Sequence, residues 1–237
     1  MSVLDDLLQV QDHDTAADRI RHRRATLPEL TELASIADRL SALETSLAEV
    51  RRRRDDVAGR EQRLDDDVAA VTAKAAEVSG VLYSGSVGAI RELQAMEAEI
   101  VALNRRRSAL EDDLLAAMEE REPLDAEVAA LERERERLDA EAARLHAVVA
   151  EARSDLDRQL DAEMEARSAA AAGLPADLVD LYEQLRARSD GIGAARLVNG
   201  RCGGCHLALP ATEVDRLRRQ PPGALERCEQ CGRILVP

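Results

Sequence analysis

Phenylalanine and tryptophan are absent from this 237-residue chain, and Tyr83 and Tyr182 are its only aromatic residues. A conventional globular core is thereby excluded, because aromatic side chains normally supply much of its buried area. Lysine is almost missing too: Lys74 stands against 32 arginines, a bias of base composition from which no function is drawn. No run of 18 apolar residues occurs, so no membrane-spanning helix is expected. The first residues, MSVLDDLLQVQDHD, are acidic and lack the basic and apolar regions of a leader. The expected location is cytoplasmic.

What remains is Leu, Val and Ala among 34% charged residues, with a net charge of −14. That mixture favours helices zipped along a narrow seam. Met96, Leu103, Leu110, Ala117, Leu124, Leu131, Leu138, Leu145 and Ala152 recur every seven residues. Four places further on stand Ile100, Arg107, Leu114, Arg121, Val128, Arg135, Ala142, Val149 and Leu156, an apolar row with three arginines whose stems lie along the seam while their heads reach acids. Upstream, Ile36, Leu43, Val50, Val57, Leu64, Val71 and Val78 keep one register, and Leu33, Leu40, Leu47, Val68, Ala75 and Leu82 the other. Two long helices are implied.

Between them, Leu82 to Ile90 concentrates Gly and Ser and reads as a hairpin tip near residues 83–88, made of Tyr83, Ser84, Gly85, Ser86, Val87 and Gly88. Gly85 and Gly88 suit the positive φ of a chain reversal, and Ser86 suits the cap of the second helix. The arms then run antiparallel, each roughly 120 Å long at about 1.5 Å per residue. Kinks or short breaks are expected at Pro28 and Pro123. Before Pro28 the stripe Val3, Leu7, Val10 and Ala17 admits Asp14, Arg21 and Arg24, so this first helix should pack differently, against the end of the second arm and the cysteine region. Tyr83 is read first as a plug for the end of the seam and second as an exposed anchor for a partner; Tyr182 is read as packing.

All four cysteines fall in the last 36 residues, as Cys202-Gly-Gly-Cys205 and Cys228-Glu-Gln-Cys231, 22 residues apart. Two facing CxxC turns complete a closed tetrahedral thiolate shell, so one structural zinc per chain is expected, one extra turn or a short helix absorbing the slightly long gap. Disulfides and a thioredoxin-like motif fit less well, and His206 is a weaker candidate ligand. Gly173-Leu-Pro175 stops the second arm, and Leu178, Leu181, Tyr182 and Leu185 face one side of a short docking helix. Residues 194–198, 206–209, 224–227 and 234–236 are expected as short antiparallel strands bracketing the knuckles. The fold class is therefore mostly α: residues 1–172 form a long antiparallel coiled-coil hairpin, and residues 173–237 a docking helix plus a small four-cysteine zinc ribbon.

The tip Leu82-Tyr83-Ser84-Gly85, the run Arg91-Glu92-Leu93-Gln94 and the ending Cys228-Glu-Gln-Cys231-Gly-Arg-Ile-Leu235 resemble the bacterial zinc-ribbon, coiled-coil hairpin proteins over essentially the whole chain. The resemblance implies an adaptor that binds protein or nucleic acid without catalysis. Some relatives are linked to flagellar or type III secretion systems, to an alternative sigma factor, or to messenger RNA. This chain has Gly88-Ala89-Ile90 where many relatives carry Asn-Pro-Lys.

Charge divides the chain. Residues 173–237 hold nine Arg against eight acids, whereas residues 1–172 hold 24 basic against 39 acidic groups. Arg201, Arg216, Arg218, Arg219, Arg227 and Arg233 are candidates for a phosphate-binding face. The ribbon has no aromatic ring for base stacking, so nucleic-acid binding there would be phosphate-directed. The tip has no carboxylate to present to a metal. With no phosphate loop, no nucleophile beside a base and no open metal position, no enzyme is expected. A non-enzymatic adaptor docking protein partners on the coiled coil is the first reading; a regulator gripping RNA or DNA through ribbon arginines is the alternative.

Overall fold

The structure, a computed structural model, describes residues 2–221 and 224–237. The order of elements is α1 (Val3–Ala25), α2 (Pro28–Tyr83), α3 (Ile90–Ala171), α4 (Ala176–Arg188), β1 (Ala194–Val198), β2 (Arg201–Cys202), α5 (Ala211–Arg219), β3 (Glu226–Arg227) and β4 (Ile234–Val236). Two compact units result, residues 33–144 and residues 1–32 with 145–237. No described helix is long and apolar enough to cross a membrane.

The first unit is the helical hairpin. Leu47, Val50 and Val57 of α2 pack on Ala117, Leu124 and Val128 of α3, with Leu64 and Leu131 flanking them. Those are heptad positions, so the seven-residue pattern and the buried seam coincide. Two places in the α2 register that lack an apolar residue are filled by Arg54 and Glu61. Glu61 is buried and lies 2.8 Å from Arg121, one of the three seam arginines. Arg107 and Arg135 reach Glu111 and Asp139, four residues on, at 3.3 and 3.6 Å. Each guanidinium thus meets an acid, as the stem-and-head reading required.

Several local expectations change. Pro28 does mark a break, at Thr26 and Leu27, and opens α2 where its missing N–H costs nothing. Pro123, by contrast, sits inside an uninterrupted α3. It and Glu119, whose carbonyl loses its usual donor, are both exposed, so water can serve that oxygen. At the tip Gly85 has φ +73°, but Gly88 is not left-handed. Ser86 does not cap α3: its hydroxyl lies 2.6 Å from that of Ser84, and the Ala89 carbonyl accepts from Glu92 and Leu93. Tyr83 does not plug the seam, being 82% exposed.

The second unit is built on α1. A capping box starts the helix, with Ser2 Oγ accepting from the Asp5 N–H and the Asp5 carboxylate accepting from the Ser2 N–H. Leu4, Leu7 and Val10 then pack on Tyr182 of α4 and on Ala194, Ile234 and Val236 of the sheet. Gln11 joins the helix to the loop before β1: its Oε1 accepts from the Gly193 and Ala194 N–H groups at 2.7 and 3.3 Å, and its Nε2 donates to the Gly191 carbonyl. Gly193 must be glycine, because a Cβ there would lie 2.7 Å from both the Tyr182 ring and the Tyr182 carbonyl.

Asp14, which looked out of place in an apolar stripe, is the centre of a buried charge network. Its carboxylate accepts from the Tyr182 hydroxyl at 2.8 Å and lies 3.4 and 3.7 Å from Arg167 and Arg186. Those arginines also meet Glu183 and Asp18. Burial first, and the Asp14 hydrogen bond second, push the Tyr182 hydroxyl far above the usual tyrosine range, so it stays a donor. At the rim His13 meets Glu163, and Arg24 meets Asp157. As expected, α1 packs on the end of α3 and on the cysteine region.

The strands run β2-β1-β4-β3 across one sheet. β1 pairs with β2, and β3 with β4, in antiparallel fashion, but β1 and β4 are parallel. An all-antiparallel ribbon was expected. The intervening α5 and second knuckle supply the long crossover that a parallel pair needs. The return strand is also shorter than expected: Arg201–Cys202 pairs with β1, while residues 206–209 contribute only a bridge from Ala208 to Arg201. His206, at φ +62°, interrupts any extended run there.

Candidate metal centre

Side chains alternate along β1 and β4, so each strand serves two cores. Ala194, Ile234 and Val236 face α1 and α4, whereas Ala195 and Leu235 face Cys202, Cys228, Leu209 and, from α5, Val214 and Leu217. Of the extra turn or short helix expected in the long gap between the cysteine pairs, the structure shows the helix, α5. Its apolar residues close the cysteine side of the sheet.

The two cysteine turns have the same backbone design. Cys202 O accepts from the His206 N–H at 2.8 Å, and Cys228 O accepts from the Gly232 N–H at 2.8 Å. Likewise Cys202 N–H donates to Leu207 O and Cys228 N–H to Arg233 O, at 3.1 and 2.9 Å. His206 and Gly232, at φ +62° and +74°, occupy the equivalent left-handed place. His206 is therefore a turn residue and its ring is exposed. Gly203 and Gly204 are required by crowding: a Cβ on the first would meet the Arg196 carbonyl at 2.9 Å, and on the second the Arg233 side chain at 2.6 Å.

The turns bring all four sulfurs within 4.8 Å of one another. Cys202 and Cys231 are 3.9 Å apart, Cys205 and Cys228 4.0 Å. A thiolate tetrahedron at about 2.3 Å from a zinc ion has edges of about 3.8 Å, so the cluster matches that shell and is too open for disulfides. Burial pushes the Cys202 thiol upward and the Cys228 thiol up to about 12. Burial acts upward on Cys231 too, but hydrogen bonds from the Arg233 backbone and side chain and from the Cys228 and Cys205 side chains together outweigh it and bring it to about 7. Four cysteine sulfurs gathered in this way are the donor set that zinc prefers.

Replacing His206 by glycine should leave metal content unchanged and stabilise the ribbon by about 0.5–1 kcal/mol, since glycine adopts the left-handed region without strain. Metal analysis and chemical denaturation check this; loss of the ion would make His206 a ligand.

The six candidate arginines do not share one fate. Arg233 is buried, and its guanidinium donates to the Ile192 and Ser189 carbonyls at 2.9 and 2.8 Å, tying the second knuckle to the end of α4. Arg216 pairs with Glu226, Arg219 with Asp215, and Arg201 reaches the His206 carbonyl. Arg218 and Arg227 are exposed and enter no ion pair among the described residues. Tyr83, Ser84 and Gly85 lie exposed at the hairpin tip, and Ile90, where α3 begins, is 74% exposed. Sequence reading missed Gln11, Asp14 and Glu61 as structural polar residues; Asp14 in an apolar stripe and the gap at 61 in the heptad row were the available signals.

Comparison with known proteins agrees with both parts of this architecture. The model of the CT398-like coiled coil hairpin domain matches residues 10–190, and that of the C4-type zinc ribbon domain residues 201–235. Rv2229c, an uncharacterized protein of Mycobacterium tuberculosis, is 30% identical over 230 residues, 97% of this chain and 93% of that one. A structure from Mycobacterium smegmatis matches with a TM-score of 0.89 and 26% identity over 100% of both chains. CT398 from Chlamydia trachomatis shares the fold, with a TM-score of 0.71 and 19% identity over 99% and 97% of the two chains. A heptad hairpin in one chain with two matched cysteine knuckles, together with these matches, places the protein in the family of CT398-like coiled-coil hairpin proteins that carry a C4-type zinc ribbon.

Proposed function

We propose that the protein is a non-enzymatic adaptor: one structural zinc per chain holds the ribbon, and a protein partner docks on the coiled-coil hairpin. The observation that carries this reading is the tip. One of only two aromatic residues is spent where it packs against little of its own chain, with Tyr83 82% and Ile90 74% exposed. A rigid aromatic ring with an apolar neighbour is the composition of a binding hot spot. Four thiols keep their zinc in a reducing compartment, which fits a cytoplasmic protein.

A photoreactive phenylalanine analogue in place of Tyr83, activated in the native cell, should give one dominant protein adduct. The same analogue at exposed Glu119 should not. No adduct, or the same adducts from both positions, would sink the adaptor reading.

Nucleic acid is the second reading, and Arg218 and Arg227, exposed and in no ion pair among the described residues, are its support. Phosphate contact through them predicts binding of mixed-sequence RNA or DNA that weakens steeply with salt. Absence of binding at low salt, or binding unaffected when Arg218 and Arg227 are replaced together, removes it.

A further inference from the structure

The four sulfurs of the cysteine cluster are not equally protected. Cys202 and Cys228 are buried, whereas Cys205 and Cys231 are partly exposed. Each partly exposed sulfur stands against a buried one from the opposite knuckle, Cys231 at 3.9 Å from Cys202 and Cys205 at 4.0 Å from Cys228. That is the layout of a thiol that meets an oxidant and a second thiol that resolves it. The chain has no other cysteine, so no competing thiol within it would intercept either step. The sheet adds a second property. β1 and β4 are anchored through Ala194, Ile234 and Val236 on Leu4, Leu7, Val10 and Tyr182, a core that contains no cysteine. A chemical change at the sulfurs therefore leaves that attachment in place.

We propose that the cluster is a peroxide-sensitive modification site, at which Cys205 and Cys231 are oxidised first and two disulfides between the knuckles, Cys202–Cys231 and Cys205–Cys228, replace the zinc. The proposal rests on the reading of the cluster as a zinc site. In the first step the Cys231 thiolate attacks one oxygen of hydrogen peroxide: an S–O bond forms, the O–O bond breaks, and hydroxide leaves. Sulfur gives up two electrons and the peroxide takes them. The Cys202 thiolate then attacks the sulfenic sulfur, forming the S–S bond as the S–O bond breaks and a second hydroxide leaves. Cys205 and Cys228 consume a second peroxide in the same way. The pairs contract from 3.9 and 4.0 Å to about 2.0 Å. A disulfide sulfur has no negative charge to offer a dication, so the chain gives up its hold on the ion. Because each new bond joins one knuckle to the other, the oxidised knuckles stay together while α1 and α4 still hold β1 and β4. Reduction by a thiol then regenerates a site ready to take zinc back.

The test uses full-length, zinc-loaded wild type, with metal analysis before hydrogen peroxide is added and a colorimetric zinc chelator to read what is released. About one zinc per chain should appear in step with the loss of the four thiols. Dimedone present during the reaction should label Cys205 and Cys231, and peptide mapping without it should find Cys202–Cys231 and Cys205–Cys228. The Ile234 N–H, which donates to the Gly193 carbonyl at 2.9 Å, should keep its protection from hydrogen exchange. Dithiothreitol with added zinc should restore the starting metal content. Retention of the ion under conditions that oxidise a separate glutathione sample overturns the proposal. So does dimedone confined to Cys202 or Cys228, and so do disulfides within a single turn, Cys202–Cys205 or Cys228–Cys231. Those results leave the zinc reading standing; an untreated protein without zinc sinks that reading, and this proposal with it.

Discussion

Cys228→Ser should release the zinc and unfold one side of the ribbon while the other side stays folded. Wild-type protein is expected to hold about one zinc per chain, and the variant close to none. Metal binding supplies about 10–16 kcal/mol to small zinc modules, far more than the few apolar residues on the cysteine side contribute. Cys202, Leu209, Val214, Leu217 and Leu235 form that side. The N–H groups of Gly203, His206, Leu209 and Gly232, all bonded within the knuckles or their flanks, should then exchange with solvent about 10³-fold faster or more. β1 and β4 have a second attachment, through Ala194, Ile234 and Val236 on α1 and α4. Protection of the Ile234 N–H, which donates to the Gly193 carbonyl at 2.9 Å, should persist, as should the helical signal. Hydrogen exchange with mass analysis distinguishes this outcome from total collapse. A metal-free wild type with protected knuckles would refute the zinc assignment outright.

The second large effect is expected at Asp14. Its carboxylate serves the buried Tyr182 hydroxyl and faces two guanidiniums. Asp14→Asn removes the charge but keeps the shape, and breaking a buried ion network costs about 3–5 kcal/mol. Arg167 and Arg186 each retain another acid and some exposure, which argues for the lower end. A loss of about 3 kcal/mol lowers the midpoint of a unit this size by roughly 10 °C. Tyr182→Phe leaves the charges in place and should cost only about 1 kcal/mol. Thermal melting of the two single variants and the double variant measures the coupling. If Asp14→Asn melts within about 2 °C of wild type, the network is not a source of stability.

The heptads were enough to locate both long helices and the seam, because a seven-residue period is a one-dimensional signal and the buried contacts of a hairpin are nearly one-dimensional too. The gathering of the four cysteines was equally legible, since their type and spacing state it directly. Sequence reading did less well where distant segments meet. The parallel pairing of β1 with β4 depends on residues about 40 apart, and no local pattern encodes which strand lies beside which. Arg233 looked like a surface cation because composition cannot show that Ser189 and Ile192 turn their carbonyls toward it. Tyr83 was read first as a plug for the seam and only second as an exposed anchor, and the tip is too narrow to cover it. Asp14 and Gln11 are a different case: they interrupt an apolar stripe, and a polar residue at a core position calls for a partner that only the folded chain reveals.

The unit that contains the ribbon draws on both extremes of the described chain, with Leu4, Leu7 and Val10 covered by Ile234 and Val236. A ribosome adding about 5–20 residues per second therefore leaves the apolar face of α1 bare for tens of seconds after it emerges. During that interval the nascent chain displays an amphipathic helix with nothing to bury it against. Its demand for a chaperone is thus set by the order of synthesis, and a circular permutant that joins α1 directly to β4 should shorten that demand without changing the finished fold.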